Sequence, residues 1–213
     1  MGKIYTAIGL MSGTSLDGVD VSIIKSDGNT EISSILNEYF EYDQELIQKI
    51  LNIREKITCS ERLDNHLVEI KDLEREITLF HVKAVKETLE KSKSSVDLIG
   101  FHGQTIFHDP EKKISKQIGD GKLLSQLTRK NVIYNFRKND LENGGQGAPL
   151  TPIFHNALAN QINKKFSLGF PLNILNIGGI SNITSTVSWE NLGQIDKIYA
   201  FDIGPGNLSL IHI

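Results

Sequence analysis

One cysteine, Cys59, occurs in 213 residues. That excludes an intramolecular disulfide framework and a multi-cysteine zinc site, and it fits a reducing compartment. Charge of one sign is equally lacking: 23 basic against 26 acidic side chains leave a formal charge of -3. A nucleic-acid or acidic-membrane binder usually carries a basic excess, so neither partner is expected. Long apolar runs are missing too, and Ile4 to Leu10 at the start is too short for a signal peptide or a membrane span. Internal repeats, low-complexity tracts and linkers are not seen. With 39% hydrophobic and 23% charged residues, the composition is that of an ordinary folded protein. One compact lobe in the cytoplasm is the expectation.

Ile4–Leu10 reads as a buried strand and Val19–Ile24, alternating apolar and polar, as a half-buried one. Turn signals lie between and after them, and Glu31–Tyr42 adds a third strand, so the chain opens as a β-meander. Gln44–Lys56 has helical periodicity. From Ser60, apolar residues Leu63, Leu67, Ile70, Leu73, Ile77, Phe80, Ala84 and Leu89 predict one long helix over about 60–91, with Ser60 as its N-cap. Beyond Val96 short elements alternate: strands at Val96–Phe101, Asn131–Asn135, Asn173–Ile177, Ile183–Ser188 and Ile198–Phe201, and helices at Gly121–Arg129 and Pro152–Gln161. Mixed elements of this kind argue an α/β fold with a sheet covered by helices.

Three glycine-bearing segments follow predicted strands. Ser12-Gly13-Thr14-Ser15-Leu16-Asp17-Gly18-Val19-Asp20 offers small hydroxyls and flexible backbone to phosphate oxygens. It lacks the Gly-Lys-Ser/Thr ending of a P-loop, and a plain hairpin loop accounts for it equally well. Gly178-Gly179-Ile180-Ser181-Asn182 is the second; Asp202-Ile203-Gly204-Pro205-Gly206-Asn207 is the third. A carboxylate such as Asp202 at a strand end serves as a general base, holds Mg²⁺ through water, or merely caps a turn. Between them, Arg137 offers a planar fork to carboxylate or phosphate, and Asp140 accepts from sugar hydroxyls. A surface ion pair is the plainer reading. His102 and His108 lack a third metal ligand at convincing spacing, so a structural or substrate-contact role is expected and no protein metal site is claimed. Cys59 reads as an inert thiol and Trp189 as a packing residue.

Taken in order, these segments resemble the anhydro-N-acetylmuramic acid kinase family. Those carrying the resemblance are Ile8–Asp20, Gly100–Thr105, Gln117–Asp120, Asn135–Arg137 with Asp140, Gly144–Leu150, Asn176–Asn182 and Phe201–Asn207. The resemblance implies an actin-like, sugar-kinase and heat-shock-chaperone ATPase fold, of which residues 1–207 would be the N-terminal nucleotide- and sugar-binding lobe. It implies ATP and Mg²⁺ as cofactors, anhydro-N-acetylmuramic acid as the small-molecule partner, and a homodimer at full length. Its activity would be hydrolytic opening of the 1,6-anhydro ring with phosphorylation of O6, in bacterial cell-wall recycling. Carried onto this chain, Gly13, Thr14, Ser15, Leu16, Asp17, Gly18, Val19 and Asp20 would hold ATP. Asp202 would be the catalytic base, and Thr105, Arg137 and Asp140 would touch substrate. An actin-like phosphohydrolase and a non-catalytic sugar- or nucleotide-binding lobe are the rival readings.

Family chains continue into a C-terminal lobe that is expected to be absent here. The last six residues, Leu208-Ser209-Leu210-Ile211-His212-Ile213, are what CTG TCT CTT ATA CAC ATC encodes, the transposon end used in tagmentation libraries. Residues 208–213 are therefore expected to be an adapter-derived tail.

Overall fold

A computed structural model describes residues 3–109, 111–177, 180–188 and 198–205. Where one compact lobe was expected, the chain divides into two compact units. Met1–Gly28 with Ser33–Gly147 forms the first, and Asn29–Ile32 with the chain from Ala148 forms the second.

The first unit is built on a mixed sheet flanked by helices. Its opening strands are β1 (Tyr5–Ser12), β2 (Gly18–Ser26) and β3 (Ile32–Glu41). After the helices α1 (Gln44–Lys56), α2 (Arg62–Asn65) and α3 (Leu67–Ser92) come β4 (Leu98–Asp109), β5 (Ile114–Ile118), α4 (Gly121–Thr128), β6 (Asn131–Tyr134) and α5 (Phe136–Glu142). The strand order is β3-β2-β1-β4-β5, with β6 also paired to β4. β1 runs antiparallel to β2 and parallel to β4. The first residues of β4, Leu98 to Phe101, are parallel to β6 as well, whereas Gln104 to Asp109 pair antiparallel with β5. His102 and Gly103 therefore sit where one strand changes partners.

Burial follows the sequence pattern. Ile8, Val19, Val21, Ile23 and Ile99 are fully buried, and α1 adds Leu46, Ile50 and Ile53 to the same core. The Asp43 side chain caps α1 by accepting from Leu46 N at 2.8 Å. α3 packs across β2, β4 and β5 with a stripe of Ile70, Leu73, Ile77, His81, Ala84, Val85 and Thr88, the spacing of one helical face. The expected helix from Ser60 is interrupted: α2 stops at Asn65, and His66 has φ -118 and ψ 21 before α3 begins. Asn and His are weak helix formers, and Leu67, 49% exposed, has too little packing to carry the helix across them. β4 runs eight residues beyond the predicted Phe101 end, and β5 and α5 were not anticipated.

The second unit holds α6 (Pro152–Phe166) and an antiparallel sheet β7-β8-β9, comprising Asn173–Ile177, Ile180–Ser185 and Tyr199–Pro205. α6 is pinned to the sheet and its following chain by polar side chains. Thr184 Oγ1 lies 2.8 Å from His155 Nδ1, and Asn156 Oδ1 accepts from Val187 N at 2.8 Å. β8 begins at Ile180, earlier than the expected Ile183, so part of the expected Gly178–Asn182 loop is strand. Gly178, Gly179, Trp189 and residues 206–213 lie outside the described residues.

Candidate active site

The segment between β1 and β2 has two faces. Leu16 turns inward and is 3% exposed although its backbone takes φ 61, and Val19 is fully buried. What these two can offer a nucleotide is backbone. Gly18 is a packing residue: a Cβ there would stand 3.0 Å from Glu41 Cα and closer still to the Phe40 carbonyl oxygen. The β2–β3 corner thus needs glycine for close approach. Thr14, Ser15, Asp17 and Asp20 are exposed. Ser15 Oγ donates to Asp17 Oδ1 at 2.5 Å. Burial raises the Asp20 pKa, and the Asp17 carboxylate raises it further. Gly13 has open space beside it, its nearest neighbour for an added Cβ being Ser15 Oγ at 3.4 Å.

Two buried side chains hold this loop to β4. Ser12 Oγ donates to the Gly103 carbonyl at 2.9 Å, and Gln104 Nε2 donates to the Gly13 carbonyl at 2.8 Å. Arg54 Nη1 steadies the outer side by donating to the Thr14 carbonyl at 3.1 Å. Gln104 Oε1 is buried without a hydrogen-bond partner among the described residues. Gly103 has φ 72, and a Cβ on it would lie 2.7 Å from the Ile118 carbonyl, so glycine is required there.

The same β4 segment supports a second polar group. His102 Nδ1 lies 2.6 Å from the Gly103 carbonyl oxygen, and Arg137 Nε donates to His102 Nε2 at 2.8 Å. Arg137 Nη1 donates to the Gly147 carbonyl at 2.6 Å, while Gly147 N donates to Asp140 Oδ2 at 2.7 Å. Arg137 and Asp140 lie one turn apart on α5 and together hold the Gly144–Gly147 turn. Burial lowers the Arg137 pKa. His102 is lowered to about 4 by burial and then by the Arg137 charge, with the Gly103 hydrogen bond opposing. His108 is lowered by burial and by Arg137, with Asp109 opposing. Thr105 Oγ1 accepts from Gln117 Nε2 at 3.2 Å, and Gln117 also donates to Ser115 Oγ, beside His108 Nδ1.

The structure thus brings Arg137, Asp140 and His102 into one network, and ties that network to Ser12 through the Gly103 carbonyl. Gln104, Gln117 and Gly147 are participants that residue type alone did not single out; their signal was membership of the Gly100–Thr105, Gln117–Asp120 and Gly144–Leu150 segments, while Ser12 stands in the candidate loop itself. Architecture accounts for Asp120, which caps α4 and whose backbone N donates to Thr78 Oγ1. In the second unit, Asp202 lies within β9 rather than at its end. It is exposed and pairs with Asn182, whose Oδ1 is buried without a hydrogen-bond partner among the described residues. Cys59 is half-buried and unpaired. Among the described residues, no group of three or more His, Cys, Asp or Glu is placed to hold a metal ion, and no helix is long and apolar enough to cross a membrane.

A family model described as anhydro-N-acetylmuramic acid kinase matches residues 5–212. The chain belongs to the anhydro-N-acetylmuramic acid kinase family. Relatives of that name include one from Pelagibacter ubique, 55% identical over 210 residues, covering 99% of this chain and 54% of the relative. One from Gluconobacter oxydans is 44% identical, with 96% and 54% covered. One from Agrobacterium fabrum is 42% identical, with 98% and 54% covered. The chain spans about half the length of these relatives. The family has the sugar-kinase and actin-like ATPase fold, and the mixed sheet flanked by helices conforms to it.

Proposed function

We propose that the protein carrying this chain is a kinase for anhydro-N-acetylmuramic acid, opening its 1,6-anhydro ring with water and transferring the γ-phosphoryl group of ATP to O6. The observation that carries the reading is the shared frame at Gly103. One carbonyl anchors both the β1–β2 loop, through Ser12, and the His102–Arg137 pair. Phosphoryl transfer needs mainly positioning and charge neutralisation, and a loop and a cation fixed to one strand supply both. The names of the relatives support the same substrate.

In this reading Gly13, Thr14 and Ser15 hold ATP phosphates by backbone N–H and hydroxyl groups, with Leu16, Gly18 and Val19 setting the loop's shape. The donor set fits Mg²⁺. Asp17 and Asp20 are neighbouring carboxylates; burial raises the Asp20 pKa and the Asp17 charge adds to it, and a hard cation relieves that second, repulsive part. A protein-only cage is unnecessary, because Mg²⁺ commonly takes one or two carboxylates together with phosphates and water. When bound, the ion neutralises phosphate charge. Asp202 is assigned as the base that removes a proton from water as its oxygen attacks the anomeric carbon. The C1–O6 bond breaks, O6 takes the γ-phosphoryl group, and ADP leaves with N-acetylmuramate 6-phosphate as the product. Arg137, Asp140 and Thr105 are assigned to substrate contacts, in a cytoplasmic enzyme that acts as a homodimer.

The test is ADP release with and without the anhydro sugar. Sugar-dependent release supports the kinase. Release independent of sugar makes the protein a phosphohydrolase, and binding without release makes it a non-catalytic lobe.

A further inference from the structure

His102 has only one hydrogen-bonding arrangement open to it. Its Nδ1 faces the Gly103 carbonyl at 2.6 Å, a group with no proton to give, so Nδ1 carries the hydrogen. Nε2 is then a lone-pair acceptor, and the Arg137 Nε–H, which cannot accept, points at it from 2.8 Å. A proton on Nε2 would set two donors against each other. The ring therefore has one tautomer and one orientation.

That fixed ring determines the guanidinium. With Nε–H given to His102 and one Nη1–H to Gly147, three of the five N–H groups of arginine have no acceptor among the described residues: one on Nη1 and both on Nη2. Arg137 makes no ion pair among the described residues, and of the two carboxylates on its own helix Asp140 is engaged by Gly147 N and Glu142 by Lys138. A partly buried cation without a counter-ion is costly to the fold. An anionic ligand completes it.

We infer that His102 is a positioning residue, which turns Arg137 so that its free N–H groups meet an oxyanion of the ligand. The inference rests on the kinase reading given above. The oxyanion is either the carboxylate of the sugar acid or a phosphate of ATP. Gln at position 102 retains an acceptor for Arg137 Nε; Leu does not.

The test compares wild type with His102→Leu and His102→Gln in the protein carrying this chain. Calorimetry uses three probes: anhydro-N-acetylmuramic acid, its carboxamide, and ATP. Nitrogen NMR follows the imidazole tautomer and the Arg137 Nε–H. Wild type is expected to show an Nδ1-protonated ring and a slowly exchanging Nε–H. Loss of one hydrogen bond to a charged group predicts that Leu weakens one oxyanion probe by about tenfold to a hundredfold. With the sugar carboxylate as ligand, the acid suffers and the carboxamide and ATP do not; with phosphate as ligand, ATP alone suffers. Gln restores affinity to within about threefold, since the acceptor is kept. Equal weakening of acid and carboxamide with ATP unchanged, unchanged affinity for all three probes, an Nε2-protonated ring, or a surviving Nε–H in the Leu variant overturns the inference. If wild type binds neither sugar nor ATP, the kinase reading fails. The Nε–H signal then decides the positioning alone, upheld by loss in Leu and return in Gln and overturned by survival in Leu.

Discussion

Replacing Gly18 separates what the β1–β2 loop does for the fold from what it does for a ligand. An alanine Cβ at this buried position would lie 3.0 Å from Glu41 Cα and nearer to the Phe40 oxygen, both backbone atoms of β3. Neither neighbour is the end of a flexible side chain, so β3 itself has to move. Overpacking of this kind costs about 1–3 kcal/mol. The same displacement strains the bond from Tyr42 N to the Asp17 carbonyl, 3.1 Å long, adding about 1 kcal/mol. The sum, about 2–4 kcal/mol, corresponds to a fall in Tm of about 5–15 °C for a chain of this size. Gly13→Ala is the control. Its Cβ meets only Ser15, at Oγ 3.4 Å and backbone N 3.9 Å, both ordinary contacts, so stability should hold within about 0.5 kcal/mol. A larger group on the open side of Gly13 crowds the phosphate cradle, and Gly13→Val should lower ATP affinity by about tenfold or more. Urea denaturation and calorimetry with ATP give the two readouts. The reasoning is refuted if Gly18→Ala unfolds like wild type, or if Gly13→Val binds ATP normally.

Other perturbations reach other parts of the account. Asp202→Asn should abolish turnover while ATP affinity stays within about twofold, because the proposal gives Asp202 the proton of the attacking water and no phosphate contact; near-normal turnover removes Asp202 from the mechanism. His81 and His102 have folded pKa values near 4 because of burial. The unfolded chain therefore binds more protons between pH 6.5 and about 4, and stability falls on acidification, by about 2 kcal/mol per histidine from pH 7 to 5. Urea curves at the two pH values check this, and His81→Leu should lose its share of the slope; a flat response contradicts it. Asp140→Ala removes the acceptor for Gly147 N. Amide exchange at Gly147 should accelerate by about tenfold or more, and unchanged protection would show that the turn is held otherwise.

Elements with an apolar period were legible in the sequence. β1 was legible as a short apolar run, β2 carries alternating apolar positions and α1 helical ones, and Val19, Val21, Ile23, Leu46 and Ile50 are buried as that periodicity selects. β5, Ile114-Ser115-Lys116-Gln117-Ile118, gave no such signal because three polar residues separate its two apolar ends. α5 was hidden for a related reason: between Phe136 and Leu141 its residues are Arg, Lys, Asn and Asp, none of which turns to a core. β4 was cut short by Gly103 and two polar residues, yet Gln104 is fully buried. Its amide nitrogen donates to a loop 91 residues away, a partner that no local pattern reveals. The candidate site divides in the same way. Arg137, Asp140 and the β1–β2 loop were selected by residue type and by the family resemblance. Their joining through His102 and the Gly103 carbonyl depends on hydrogen bonds across 35 and 91 residues. The sheet supplies that proximity.

The central claim is that water attacks the sugar while the phosphoryl group goes to O6. Turnover in ¹⁸O-labelled water, followed by mass spectrometry of the products, tests it directly. The account predicts one ¹⁸O at C1 of N-acetylmuramate 6-phosphate and an unlabelled phosphoryl group. Label in inorganic phosphate, with the anhydro sugar left intact, would contradict it.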